Sequence, residues 1–321
     1  MTLAATRKYT EKSDIIASCN IVFTVIFLIF SFSFVVLSLD ALNYAGLAFS
    51  SLICSLSIAR LFVIQHDLGH NTFFSRRKFN VYVGRVLSLF TLTPYFAWNY
   101  EHLVHHAHQG KLGNEGLSEI WTMTKNQYLG SSKKKILLYK LYRRPEFLFL
   151  FAPLFLFLLL YRFPYRFNDR NDKRIRKSVL LTNINLAIFY SFLYFFVGYK
   201  LLMLIPIFIF AFSSCIFAFY LQHNFEHTYC EDNGVWNKRE AALNGSSVLR
   251  FGKIFDFLSI NIAYHNVHHL NSGIPSYRLK KCYLEIKSKI PNKEIGFKEA
   301  FRAMFLNLWD EENKKLIPFP S

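Results

Sequence analysis

Acidic side chains are scarce in this sequence, with 21 aspartates and glutamates against 38 lysines and arginines. Four apolar runs that approach or exceed about 18 residues contain no acidic residue at all, and that length makes a membrane-spanning helix the leading reading. Cysteine is equally uninformative as a staple. The five present (Cys19, Cys54, Cys215, Cys230, Cys282) are odd in number, scattered, and form no CxxC, which excludes a secreted disulfide scaffold. There is no repeat at solenoid period and no low-complexity linker. What fills the chain instead is apolar: 52% of residues are hydrophobic and 36 are Phe. Such usage excludes an ordinary soluble enzyme and a disordered chain. The formal charge of +17 calls for an anionic partner. Because the basic residues flank apolar spans and build no base-reading module, that partner is a lipid surface and not a nucleic acid.

Residues 1–14 are polar and basic, and the apolar run at 15–39 is longer than the roughly 7–15 residues of a signal-peptide core. We therefore expect an all-α integral membrane protein of one domain, 1–321, with four transmembrane helices in two hairpins at about 15–39, 42–65, 179–198 and 201–222. A tight turn at Gly198, Tyr199 and Lys200 joins the last two. Apart from Arg60 and Lys200, every basic residue then lies before the first span, in 66–178, or after 222. The positive-inside rule places those parts in the cytoplasm as a helical cap, with both hairpin links outside. Two further apolar stretches read as re-entrant or interfacial. Residues 147–161 carry Pro153 between basic clusters (Arg143, Arg144; Arg162, Arg166, Arg170, Lys173, Arg174), and 81–98 is interrupted by Arg85 and Pro94. Trp98, Trp121, Trp236 and Trp309 are expected as interfacial anchors. The basic, amphipathic tail from about Lys280 is expected to close the cap against the membrane surface.

All eleven histidines fall in four short windows: HDLGH (His66, His70), HLVHHAH (His102, His105, His106, His108), HNFEH (His223, His227) and HNVHH (His265, His268, His269). Spacings of three and four put each set on one face of a helix, whereas a strand would split His105 from His106. One window follows each hairpin and the others lie in cytoplasmic segments, so the imidazoles converge at the membrane boundary. Imidazole binds Fe, Zn, Cu and Ni. Eight or more histidines point to two metals, and unreactive C–H bonds at an acyl boundary call for an oxygen-activating redox metal, iron above all. His108 and His227 are the doubtful members of the set. Asp67, Glu101 and Glu226, beside candidate ligands, are candidates to orient imidazole N–H groups from a second layer, as are His108 and His227.

At these residues the chain resembles the integral-membrane fatty acid desaturases, closest to the acyl-lipid branch of omega-6/delta-12 type. HDLGHNTFF is similar to the first histidine box of that family and WNYEHLVHH to the second. QHNFEH resembles the extra histidine after the last span, and NIAYHNVHHLNSGIPSY the third box. The resemblance implies a non-haem di-iron centre held by His66, His70, His102, His105, His106, His223, His265, His268 and His269. It also implies dioxygen as co-substrate and removal of two vicinal hydrogens from a lipid-linked acyl chain to leave a cis double bond. No haem-binding HPGG occurs, so the two electrons come from a separate carrier of ferredoxin type, which the basic face would attract. The sequence departs from the pattern at 110–116 (GKLGNEG) and at Asn99, where an arginine is usual. Two alternatives stand beside this reading. One is a di-iron hydroxylase or ketolase acting on a carotenoid or other lipid. The other is a membrane metal transporter, disfavoured because the spans carry only Arg60 as a charge and every histidine sits at an edge.

Overall fold

The computed structural model describes residues 2–113, 119–163, 173–232 and 234–320. Arg166 and Arg170 of the second basic cluster, and residues 114–116 of the departing segment, lie outside the described residues. The chain divides into two compact units, one of residues 12–99 and 150–215, the other of residues 1–11, 100–149 and 216–321.

The first unit holds most of the length of the long apolar helices. Three are long and apolar enough to cross a membrane (Asp14–Asp40, Tyr44–Gly69 and the run Lys173–His223), rising to four if Lys133–Tyr142 and Phe147–Arg162 count together as one span. This fits a multi-pass membrane protein. The first two helices start where side chains cap them: Ser13 Oγ accepts from the Ile16 amide at 3.4 Å and Asn43 Oδ1 from the Gly46 amide at 3.0 Å. Large residues such as Ile15, Phe30 and Leu37 face outward, while Ala17, Thr24, Ser31 and Ser38 are buried. Small residues at a helix contact let backbones approach closely, which is how helices associate in lipid. The one charged residue inside a proposed span is paired. Arg60 donates to Asn20 Oδ1 at 2.6 Å and Thr24 Oγ1 at 3.0 Å on the neighbouring helix.

The run Lys173–His223 is not one rod. Eighteen residues of straight helix, the interval 190 to 208, would hold a pair of side chains about 27 Å apart. The rings of Tyr190 and Phe208 are instead 6.4 Å apart. The chain reverses through a tight 3₁₀ turn, Gly198–Met203, where Gly198 has a φ of 57° that glycine alone adopts without strain. In that turn Lys200 Nζ lies 2.5 Å from Asp40 Oδ2, so the turn and the end of the first helix share one end of this unit.

The two segments expected to be interrupted are so. Arg77–Thr91 stops at Leu92, which takes a left-handed φ of 55°, and Pro94 precedes the next helix, Tyr95–His108. Residues 147–162 form helical turns of mixed width around Pro153, with π turns on both sides; proline lacks the N–H that a regular ladder needs.

The second unit is helical but not wholly so, which corrects the all-α expectation. Met123–Thr124 runs parallel to Leu308–Asp310, which pairs antiparallel with Lys315–Ile317, and Val248–Leu249 lies parallel to Glu294–Ile295. Strands of two or three residues are too short to show an alternating pattern. Two anchors are also corrected. Trp309 is 1% exposed in the first of these sheets and Trp98 is 8% exposed, its ring 5.4 Å from Phe62. Both serve cores and not the membrane interface. The tail helix Ser276–Ile286 buries Leu279, Cys282, Tyr283 and Ile286 on one side, the amphipathic pattern its sequence carries.

Candidate metal centre

His66 lies in the last turn of the helix Tyr44–Gly69 and His70 follows as its cap, its amide donating to the His66 carbonyl at 3.2 Å. The two rings lie 4.8 Å apart and His66 Nδ1 stands 3.1 Å from Asp67 Oδ1. The shape of the box is set from its own unit. Gln65, fully buried, donates from Nε2 to the Gly84 and Thr93 carbonyls at 3.1 and 3.2 Å and accepts from Thr91 Oγ1 at 2.5 Å. Tyr95 donates to the Leu68 carbonyl at 2.7 Å. A Cβ on Gly69 would meet the Trp98 ring at 3.1 Å, so the box glycine admits a neighbouring side chain.

The second unit brings together histidines far apart in sequence. His102, His105 and His106 project from Tyr95–His108, His223 is the last residue of Leu204–His223, and His265, His268 and His269 lie on the short helix His265–Leu270. One group gathers His105, His223, His265 and His269, with one ring nitrogen from each within 4.8 Å of the others. Beside it stand His102, His106 and His268, equally close among themselves. The groups adjoin: the rings of His106 and His269 stack at 4.2 Å.

Proton placement shows why these nitrogens call for a cation. His223 Nδ1 lies 3.0 Å from the Gly245 carbonyl oxygen, an acceptor only, so Nδ1 carries the proton and Nε2 a lone pair. That Nε2 is 3.1 Å from His265 Nε2, which is also 3.1 Å from His269 Nε2. A single N–H on His265 cannot serve both neighbours. The other group repeats the pattern, with His106 Nε2 at 3.0 Å from His102 Nε2 and 3.1 Å from His268 Nε2. Two nitrogens about 2.1 Å from one ion at a right angle are about 3 Å apart, so a shared cation resolves the conflict and the residues fit a metal. Burial, and then the surrounding imidazoles, push His269 well below the ordinary 6.5, keeping it neutral as a ligand must be.

The remaining sequence candidates lie elsewhere or act locally. His108 Nδ1 faces the Val104 carbonyl of its own helix at 3.0 Å. The helix stops at His223, so His227 does not share a helical face with it, and its carbonyl accepts from Lys293 Nζ at 3.0 Å. Glu226 reaches Arg302 at 3.4 Å and Lys315 at 3.8 Å. Glu101 is half-buried, one residue before His102. Sequence reasoning missed Glu119, whose Oε1 is 2.7 Å from His105 Nδ1, and Gly245. Neither has a local signal, because each meets its histidine across a loop. An apolar cavity of about 350 Å³ reaches His269, lined by Leu3, Ala242, Leu243 and Leu270, with Lys238 and Arg239 also on its wall.

Long apolar helices together with adjoining all-imidazole groups that could hold metal ions fit a multi-pass membrane protein of the histidine-box class. The sequence model named fatty acid desaturase matches residues 42–301, and the chain belongs to that family. It is similar to the fatty acid desaturase of Bacillus subtilis (strain 168), with 33% identity over 88% of this chain and 80% of the relative. The sn-1 oleoyl-lipid 12-desaturase of Synechocystis sp. shares 24% identity over 70% of this chain, which spans 64% of that relative's length. A Delta(12) fatty acid desaturase of Calendula officinalis shares 29% over 78% of this chain and 70% of the relative. Membership makes the protein an oxidoreductase, a fatty acid desaturase.

Proposed function

We propose that this chain desaturates a fatty acyl chain esterified in a membrane lipid, leaving a cis double bond. The observation that carries the reading is the convergence of His105, His223, His265 and His269 beside His102, His106 and His268 in a member of this family. Two non-haem irons are assigned, one to the four-histidine group and one to the three-histidine group, and His66 and His70 are carried over as ligands from the family's first histidine box. When bound, they supply dioxygen activation and C–H abstraction. One CH₂–CH₂ unit, one O₂, two electrons and two protons become one CH=CH unit and two waters.

The chain's own residues supply the rest. A cavity of about 350 Å³ falls in the range of small-ligand sites, and its Leu3, Ala242, Leu243 and Leu270 lining offers a methylene chain an apolar wall, with Lys238 and Arg239 also lining it. His269 at its wall puts that chain beside the metal ligands. The lipid-linked form of the substrate is taken from the Synechocystis relative, named an oleoyl-lipid desaturase. The reversal at Gly198–Met203 supports four crossings, at about 15–39, 42–65, 179–198 and 201–222, and the basic loops favour a cytoplasmic side for the histidine boxes. Electrons come from a separate acidic carrier of ferredoxin type, drawn by a chain of charge +17.

The test is the fatty-acid profile of a host with simple lipids, by gas chromatography and mass spectrometry, beside a His105→Ala, His106→Ala control. A new unsaturated acid absent from the control is expected. A hydroxy acid in its place replaces desaturation by hydroxylation. No new product from iron-loaded protein supplied with reduced ferredoxin removes acyl lipid as the substrate.

A further inference from the structure

We infer that Glu119 is the positioning residue that fixes His105 as a metal ligand, an inference that rests on the metal-centre reading above. Glu119 Oε1 is 2.7 Å from His105 Nδ1, and the two side chains are 21% and 1% exposed. An ionised carboxylate only accepts, so it holds the proton on Nδ1 and leaves the lone pair on Nε2. That Nε2 is buried and has no hydrogen-bond partner among the described residues, while His105 belongs to the four-histidine group. Its ring centroid lies 4.6 Å from that of His223 and 5.2 Å from that of His269.

The pairing is not that of a stray surface acid. Among the described residues Glu119 forms an ion pair with His105 and with no lysine or arginine. It lines a small cavity of about 80 Å³ shared with Thr122, His223 and Asn224, where water can satisfy its remaining lone pairs. His223, in the same group, is oriented by a neutral carbonyl, whereas His105 is oriented by a charge. Charge-assisted hydrogen bonds are about twice as strong as neutral ones, so Glu119 locks the His105 ring more firmly than the Gly245 carbonyl locks that of His223.

The experiment compares iron retention and Mössbauer spectra of the full-length protein with those of Glu119→Ala, Glu119→Gln and a Glu226→Ala control. Glu119→Ala is expected to weaken iron binding about 10–100-fold under chelator competition, with one of two iron signals lost first. Glu119→Gln still accepts the Nδ1–H through its amide oxygen, so it keeps its iron but shifts that signal. Glu226→Ala matches the wild type. Wild-type retention and an unchanged spectrum in Glu119→Ala overturn the inference. Should that variant fail to fold, an unaltered spectrum in Glu119→Gln does so. A wild type that binds no iron overturns the metal-centre reading itself, and the role of Glu119 with it.

Discussion

His223 donates its Nδ1 proton to the carbonyl oxygen of Gly245 at 3.0 Å. The same oxygen accepts from Gln109 Nε2 at 2.6 Å, so one peptide group orients a ligand-bearing ring and ties down the chain just beyond the second histidine box. The glycine is sterically required. A Cβ there would stand 2.1 Å from Gln109 Nε2 and 2.7 Å from the Ala241 carbonyl.

Gly245→Ala is accordingly expected to displace Gln109 and rotate His223. Overpacking of this kind costs about 1–3 kcal/mol, and loss of the ring's orientation lowers iron content as well. Thermal unfolding together with iron analysis checks both. A variant with wild-type stability and iron rejects the coupling.

Arg143 is 1% exposed, and its hydrogen bonds among the described residues go to neutral acceptors. Its guanidinium donates to the Leu306 carbonyl at 2.6 Å, Asn224 Oδ1 at 3.0 Å and Tyr220 Oη at 3.2 Å. It thereby links the end of the His223 helix to the C-terminal segment. Arg143→Met leaves Asn224 Oδ1 buried without a donor, at about 1–3 kcal/mol, while the Leu306 carbonyl and Tyr220 Oη still accept from Asn224 Nδ2. Arg143→Lys recovers only some of this, since an ammonium lacks the planar fork. Denaturation midpoints in detergent should rank wild type above Lys above Met.

Gln65 closes the turn beneath the first histidine box. Gln65→Leu keeps the volume but strands the Thr93 carbonyl that the amide serves, whereas the Gly84 carbonyl still accepts from Ser88 Oγ at 3.2 Å. A destabilisation of about 1–3 kcal/mol per unmet group is expected, read as a lowered melting temperature. Gln65→Met showing no loss would count against the clamp.

Asp310 governs a pH response in the hairpin between Leu308–Asp310 and Lys315–Ile317. The Asn313 side chain donates to it at 2.9 Å, and the Asn313 and Glu312 amides donate at 3.1 Å, holding the carboxyl below its ordinary 3.8. A folded value lower than the unfolded one contributes stability that is present above the ordinary value and lost as pH falls through the folded value. Protection of the hairpin amides, measured relative to the intrinsic exchange rate at each pH, should therefore fall below about pH 4 in the wild type. Asp310→Asn should show a flat response over the same range.

The histidine windows were legible because their information is local. Spacings of three and four place imidazoles on one face whatever the chain does elsewhere, and acid-free apolar runs announce membrane-length helices for the same reason. His227 shows the limit of that logic: its spacing from His223 is helical, yet the helix ends at His223. The two small sheets escaped notice because two-residue strands carry no period. Trp98 and Trp309 looked like interfacial anchors, since composition cannot tell an aromatic facing lipid from one packed in a core.

By itself, then, the sequence determined the candidate ligand type, the windows that carry it and the membrane class of the chain, all of which follow from composition and short-range periodicity. Only the tertiary structure decided which histidines gather in one group and which residues hold them. Glu119 meets His105 from 14 residues away and Gly245 meets His223 from 22 residues away. Such pairings arise when loops close over one another, and closure depends on the packing of the whole unit and not on any spacing along the chain.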